Sequence, residues 1–487
     1  MPNNEADNSR RDWIKGLVAA STAARARAQN TPRARPNIIY LHSHDTGRYI
    51  QPYGVEVPTL NLQKLAADGV LFRHAFDAAP TCSPSRASLL TGHAPHNNGM
   101  LGLAHRGFSL NNYREHLLHT LRPHGYRATL IGIQHIAKDP AVIGYDEIRA
   151  APGYGSDKKG VRLPEVVAAS TQFLKDSPKQ PFFLDIGFFE THRAFRQPGP
   201  QDDERFCQPP APILDTPATR NDMAAFKATA RALDTAYGDI LNALASSGLA
   251  NNTLVICTTD HGVAFPAMKC NLTVHGTGVY LILRGPGGFT GGKVNEAMVS
   301  HLDLYPTICD LLDIEKPAWL QGRSLLPLIK GERPEIHDEI FAEVNYHAAY
   351  EPKRAARTQR YNYIRHYGDR RHPVLPNCDD SPSKDVWLKS GWREHIVPRE
   401  MLFDVVFDPN ETRNLVDDPS YAKPLAEMRG RLDSWMQRTN DPLLHGPVKA
   451  PPGALVNDPD GTSPQEPVRP AEYCERQTRS IIASTYL

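Results

Sequence analysis

From Arg35 to about residue 335, short apolar runs alternate with longer stretches of helical periodicity. The runs are PNIIYLHS (36–43), YRATLIG (126–132), PFFLDIGFF (181–189), NTLVICTTD (252–260) and VYLILRG (279–285). Each has the length of a strand and is too uniformly apolar to leave one face in water. Strands buried on both faces belong to parallel sheets covered by helices, and the stretches near 112–122, 163–176 and 219–247 supply those helices. An earlier helix is expected in VPTLNLQKLAADG, from near Pro58 to Gly69, where the glycine suits a C′ position. The fold class expected is therefore α/β, with a mostly parallel central sheet and helices on both faces. Sheets of this kind gather their chemistry at the C-terminal ends of the strands.

After about residue 335 the pattern changes. EIFAEVNY, RYNYIRHY and MLFDVVFD read as strands of a smaller sheet, and SYAKPLAEMRGRLDSWMQR as a helix packed on it. Pro-rich stretches at 194–217 and 447–470 read as long loops, the second of them a tail. The expected organisation is a leader (1–28), a catalytic domain (35–335), a smaller C-terminal α+β subdomain (336–445) and a tail (446–487). A length of 487 residues suits one large domain with a smaller companion.

Lys and Arg total 55 against 54 Asp and Glu, so no surplus positive charge exists to neutralise a phosphate backbone, and no nucleic-acid partner is expected. No run approaches the roughly 20 apolar residues of a membrane helix, so no membrane span is expected. Seven cysteines, an odd number with no CxxC pair, argue against a disulfide framework or a zinc knuckle. Cys257 and Cys309 sit in apolar runs and read as core. At the N-terminus, SRRDWIKGLVAASTAARARAQ carries the Arg10–Arg11 pair ahead of a small-residue stretch. It resembles a twin-arginine export signal and implies a periplasmic or secreted protein. The alternative is a plain basic leader, because Arg25 and Arg27 crowd the cleavage site.

TCSPSRASLLTG (81–92) is the stretch that carries chemistry. Ser83 is expected to cap a helix and Pro84 to sit in its first turn, which places Cys82 beside unpaired backbone N–H groups. The positive end of the helix favours an anion there. On these residues alone, Cys82 is either a low-pKa thiolate, as in cysteine phosphatases and peroxidases, or a buried residue at a helix start.

The spelling is more specific than the placement. Cys82, Pro84, Ser85 and Arg86, followed by Thr91-Gly92, resemble the signature of type I sulfatases, in which the cysteine is oxidised to formylglycine (3-oxoalanine). The resemblance runs from RPNIIYL to LFDVVFDPNETRNL. It is nearest the N-sulfoglucosamine sulfohydrolase (heparan sulfamidase) branch, through CSPSRASLLTG with HNNGM behind it, THR at 191–193, FP at 265–266 and GRSLLPLI at 322–329. It implies an alkaline-phosphatase-like fold, a sulfated carbohydrate substrate and a formylglycine-generating enzyme as partner.

The resemblance also implies roles. Hydrated formylglycine is a geminal diol: one oxygen attacks sulfur, and the other expels sulfate by collapsing back to the aldehyde, which a thiol cannot do. Arg86 is the fixed cation beside it. One divalent ion is held by residue 82 with His44 and Asp45 after the first strand and Asp260 and His261 after a later one. The family has oxygen ligands where His44 and His261 stand, so calcium, the family default, competes with manganese or zinc. His135 takes a proton during sulfate release, His192 stands near the leaving group, and Lys269 holds a sulfate oxygen. Ile133 occupies the place of a family lysine, for which Lys138 is a candidate substitute. The loop NYHAAYEPKR offers His347, Glu351 and Arg354 as sugar contacts. The competing readings are an arylsulfatase, a phosphonate or phosphate ester hydrolase of the same superfamily, and a sugar-binding protein with impaired catalysis.

Overall fold

A computed structural model describes residues 35–150 and 163–472, and the leader lies outside them. From Pro36 onward the chain forms one compact unit. Its main sheet contains β1 (Asn37–Ser43), β2 (Val70–Phe76), β3 (Arg127–Gly132), β4 (Glu147–Arg149), β5 (Phe182–Gly187), β6 (Thr253–Thr259), β7 (Leu281–Arg284) and β8 (Lys293–Ser300). In space the order is β4-β3-β5-β1-β6-β7-β2-β8. The central strand β1 runs parallel to β5 and β6, whereas β7 runs against both of its neighbours.

The uniform apolarity of β1 has the expected cause. Ile38 and Tyr40 enter one core, with Ala87 and Leu90 of the helix Cys82–Thr91. Ile39 and Leu41 enter the other, with Leu233, Tyr237 and Ile240 of the long helix Pro217–Ser246. Each large apolar side chain so buried contributes about 1.5–3 kcal/mol, which holds the strand ends in fixed register.

The smaller sheet comprises β9 (Ile340–Tyr346), β10 (Tyr350–Arg357), β11 (Tyr361–His366) and β12 (Glu400–Asp404), antiparallel in the order β12-β11-β10-β9. The helix Ala422–Arg438 packs on it through Leu425, Met428 and Leu432. The structure corrects three expectations. Residues 350–354, read as part of a loop, belong to β10. The segment read as a tail is part of the fold up to residue 472: Val448 and Val456 are buried, Tyr346 Oη donates to the Val448 carbonyl, and the Asn457 amide donates to that of Ala348. Gly69 is not left-handed (φ −111°); it is required because a Cβ there would lie 2.4 Å from the Leu283 carbonyl oxygen.

Candidate active site

Four strand ends and one helix start converge. Ser43 of β1 lies beside Thr259 of β6, and His42 lies beside Gly187 of β5, which in turn lies beside Gly132 of β3. The next residues of each strand therefore leave the sheet on one edge: His44 and Asp45, Asp260 and His261, His135, and His192. Asp45 (φ 52°) and His135 (φ 56°) sit in the left-handed region, a conformation that a side chain tolerates only where its surroundings hold it.

Cys82 is the first residue of its helix, preceded by extended Thr81 (φ −141°), whose side chain makes no capping bond. Ser83 is thus not the cap; its hydroxyl accepts from the Ala104 amide at 3.0 Å. The thiol lies 3.3 Å from His261 Nε2 and 4.0 Å from Asp45 Oδ1, and burial pushes it well above its usual range despite the opposing charge of Lys269. Helix-start placement therefore does not make it a thiolate. Ligand atoms of His44, Asp45, Cys82 and Asp260 all lie within 4.8 Å of one another, and all four residues are buried.

The donor set fits a divalent cation. His261 Nδ1 lies 3.0 Å from the Gly262 carbonyl, to which it can only donate, and its Nε2 faces Asp45 Oδ1 at 3.3 Å and Asp260 Oδ2 at 3.6 Å. His44 is buried with neither ring nitrogen hydrogen-bonded, and its Nδ1 lies 3.3 Å from Asp260 Oδ2. Burial, then the charge of Arg86, hold its imidazole neutral. The neutral imidazole of His44 beside the Asp260 carboxylate is a donor set that a divalent ion would satisfy. Asp260 is suited to that role. Burial opposes its ionisation, but His261, Arg86 and the Asp45 amide at 2.8 Å keep it below the usual carboxylate range.

Arg86 is wholly buried, donating to the Ser43 carbonyl at 2.7 Å, to Asp260 Oδ2 at 3.0 Å and to His42 Nδ1. His42 Nε2 meets Asp185 Oδ1 at 2.7 Å, and Asp185 accepts from Tyr145 at 2.5 Å. This relay was not foreseen, though a signal existed: His42 and Asp185 are polar residues inside otherwise apolar strands, and burial there requires partners.

Around this centre, His135 Nε2 lies 3.1 Å from His105 Nδ1. Its ligand atom is within 4.8 Å of those of Cys82 and His44. His192 Nε2 is 3.9 Å from Asp45 Oδ2, and its ring stacks on Phe189. Lys269 Nζ donates to Asp45 Oδ2 at 2.9 Å and to Asp379 Oδ2 at 3.0 Å. Burial disfavours its charge, but Asp379 and Asp45 prevail and raise its pKa well above the usual lysine value. Asp379 and His105 were missed; one lies in a loop and the other in the short helical turn Ala104–Arg106, and nothing in NCDDSP or LAHRG marks them.

Of the three sugar-contact candidates, His347 is buried in the field of Lys269, Asp379 and His261. Glu351 accepts from Lys353 and Asn377, both at 2.9 Å. Arg354 is a correction: fully buried in β10, it donates to Asp441 at 2.5 and 3.0 Å and cannot touch a substrate. Ile133 lies in an apolar core, while Lys138 is exposed with no bond into the site, so the nearby group beside His135 is His105.

The family model described as Sulfatase matches residues 36–314. The chain belongs to the sulfatase family. A second model, N-sulphoglucosamine sulphohydrolase, C-terminal, matches residues 274–385. The chain is 31% identical to human N-sulphoglucosamine sulphohydrolase, over 87% of this chain and 93% of that one. It is 26% identical to a Delta 4,5-hexuronate-2-O-sulfatase of Bacteroides thetaiotaomicron, over 93% and 98%. A solved structure in complex with its substrate D-glucosamine-2-N,6-O-disulfate shares the fold, with a TM-score of 0.66 and 19% identity over 88% of this chain and all of that one. The protein is thus a sulfatase, a hydrolase of sulfate esters or sulfamates, on an alkaline-phosphatase-like fold, in a family that is generally metal-dependent. No helix among the described residues is long and apolar enough to cross a membrane.

Proposed function

We propose that the chain removes sulfate from sulfated sugars, N-sulfoglucosamine first among them, with residue 82 carried as formylglycine. The observation that carries this reading is the position of Cys82, buried among His44, Asp45 and Asp260 within 4.8 Å. Hydrated formylglycine would supply a nucleophilic oxygen and a second oxygen whose deprotonation expels sulfate. A divalent ion held by residues 44, 45, 82, 260 and 261 would supply charge stabilisation for sulfate oxygens. Two imidazoles beside two carboxylates favour manganese or zinc over the calcium implied by the family resemblance.

Placement supports the remaining roles. Arg86, fixed by three acceptors, holds positive charge beside residue 82 and Asp260. His135 is placed to take a proton at residue 82, with His105 orienting its ring. Lys269 presents its ammonium to a sulfate oxygen, a contact that strengthens as charge develops. His192, part-exposed at the mouth, protonates the leaving nitrogen or oxygen. Residues 1–28 would direct a folded chain through twin-arginine export after a cytoplasmic formylglycine-generating enzyme has acted, and the product would work in the periplasm on sulfated polysaccharide fragments.

Mass analysis of the peptide containing residue 82, combined with assays on N-sulfoglucosamine, 4-nitrophenyl sulfate and a phosphonate monoester, tests the reading. The aldehyde mass and preferred turnover of the sugar are expected. Preferred turnover of the phosphonate would favour the ester-hydrolase alternative, for which Asp260-His261 is the observation. A persistent thiol without turnover would favour a sugar-binding protein.

A further inference from the structure

Asp379 belongs to none of the roles above, yet its carboxylate lies within 4.8 Å of the ligand atoms of Asp45 and His192. The centre itself is closed: Cys82 is 1% exposed and Lys269 3%. The side chains of Asp379 and His192, 17% and 18% exposed, form a lip above it. Asp379 Oδ2 accepts from Lys269 at 3.0 Å, and among the described residues Oδ1 accepts no hydrogen bond.

The loop that carries it is fixed. Asn377 Oδ1 accepts from the Ala349 amide at 2.8 Å, and its Nδ2 donates to Glu351 at 2.9 Å. Lys384 Nζ donates to the Cys378 carbonyl at 2.7 Å and to Asp380 at 2.9 Å. The carboxylate is therefore held in place before substrate arrives. A fixed anion beside a centre that binds an anionic sulfate is unfavourable unless it receives a donor. Neutralising Lys269 does not require it, because Asp45 already accepts from that ammonium at 2.9 Å. In a sulfated sugar, the donors next to the reacting group are the adjacent hydroxyl and any N–H.

We propose that Asp379 determines specificity: its free carboxylate oxygen accepts a hydrogen bond from the sugar hydroxyl adjacent to the sulfated position, selecting substrates in which that hydroxyl is free. This rests on the sugar-sulfate reading of the same site. A second sulfate or an ether at that hydroxyl would leave the carboxylate without a donor and, for the sulfate, facing a like charge.

The test compares kcat/KM of the formylglycine-bearing enzyme on N-sulfoglucosamine, on the same sugar methylated at the neighbouring 3-hydroxyl, and on 4-nitrophenyl sulfate. The wild type should disfavour the methyl ether by about 10- to 100-fold, the range for a lost hydrogen bond to a charged group. In Asp379→Ala the ratio of sugar to 4-nitrophenyl sulfate should fall by a similar factor and the gap between sugar and ether should close, with Asp379→Asn intermediate. Parallel loss on all three substrates would mean that Asp379 acts only through Lys269 and would overturn the inference alone. Equal wild-type turnover of sugar and ether would also overturn it, even if the variants fail to fold. A wild type active on 4-nitrophenyl sulfate but inert on the sugar would overturn the inference together with the functional reading.

Discussion

Around Cys82, Asp45 and Asp260 meet His44, His261 and Arg86. Where β9 and β10 adjoin the end of the helix Ala422–Arg438, Glu343 and Asp441 meet His96 and Arg354. Both clusters put carboxylates, imidazoles and one arginine out of water. In the second, every carboxylate is answered from within: Arg354 forks onto Asp441, and His96 gives its ring and its amide to Glu343, the amide at 2.8 Å. In the first, Lys269 engages Asp45 Oδ2 and Arg86 engages Asp260 Oδ2, Asp260 Oδ1 accepts from the Asp45 and His261 amides, and Asp45 Oδ1 faces His261 Nε2 at 3.3 Å. The second closes its carboxylates by internal hydrogen bonds, whereas the first, on the proposed reading, would hold a divalent cation beside Cys82.

The largest effect expected is at the nucleophile. Cys82→Ala should lower turnover at least about 10³-fold while leaving the melting temperature near that of the wild type. Deleting one buried cation from each cluster sharpens the contrast. Lys269→Met should reduce kcat by about 10²- to 10³-fold, because it removes a contact to developing charge, and should cost less stability than Arg354→Met because Asp379 can reach solvent at the lip. Arg354→Met should cost about 3–5 kcal/mol in denaturant titrations, because it strands buried carboxylates, and leave kcat/KM close to wild type. An exchange of those phenotypes would break the distinction.

A smaller effect concerns acid. Burial holds His116 at about 3 against its ordinary 6.5, so its contribution to stability is complete above pH 6.5 and is lost as pH falls toward 3. Burial opposes ionisation of Glu343, but His96 and Arg354 hold it at about 2 against 4.5, so its contribution is complete above pH 4.5 and is lost toward pH 2. Decline between pH 6.5 and 4.5 should therefore follow the buried histidines, His116, His301 and His366 among them. His116 Nδ1 accepts from the Leu118 amide, a bond that asparagine can reproduce. His116→Asn should flatten this limb by about 1 kcal/mol at pH 5.5, read as unfolding free energy against pH.

What the sequence made legible follows the same division. β1, β3, β5 and β6 are largely apolar because helices cover both faces, and the site residues follow them. β2 and β8 escaped notice because Arg73 and His74 interrupt one and the first half of the other is largely exposed. β10 read as a loop because Lys353 and Arg354 look solvated in sequence; only pairing with the distant Cys270 carbonyl and Asp441 makes their burial tolerable. The same long-range dependence hid Asp379, whose role is set by Lys269 from another part of the chain. Strand periodicity is local information, whereas the partner of a buried charge is not.

Anomalous scattering from crystals of the manganese-loaded enzyme tests the central claim most directly. One peak is expected within bonding distance of residue 82, Asp45 and Asp260, with His44 and His261 completing its shell, and it should vanish in Asp260→Ala. A map without a peak there, with Asp45 and Asp260 neutralised by Lys269 and Arg86 alone, would contradict the account.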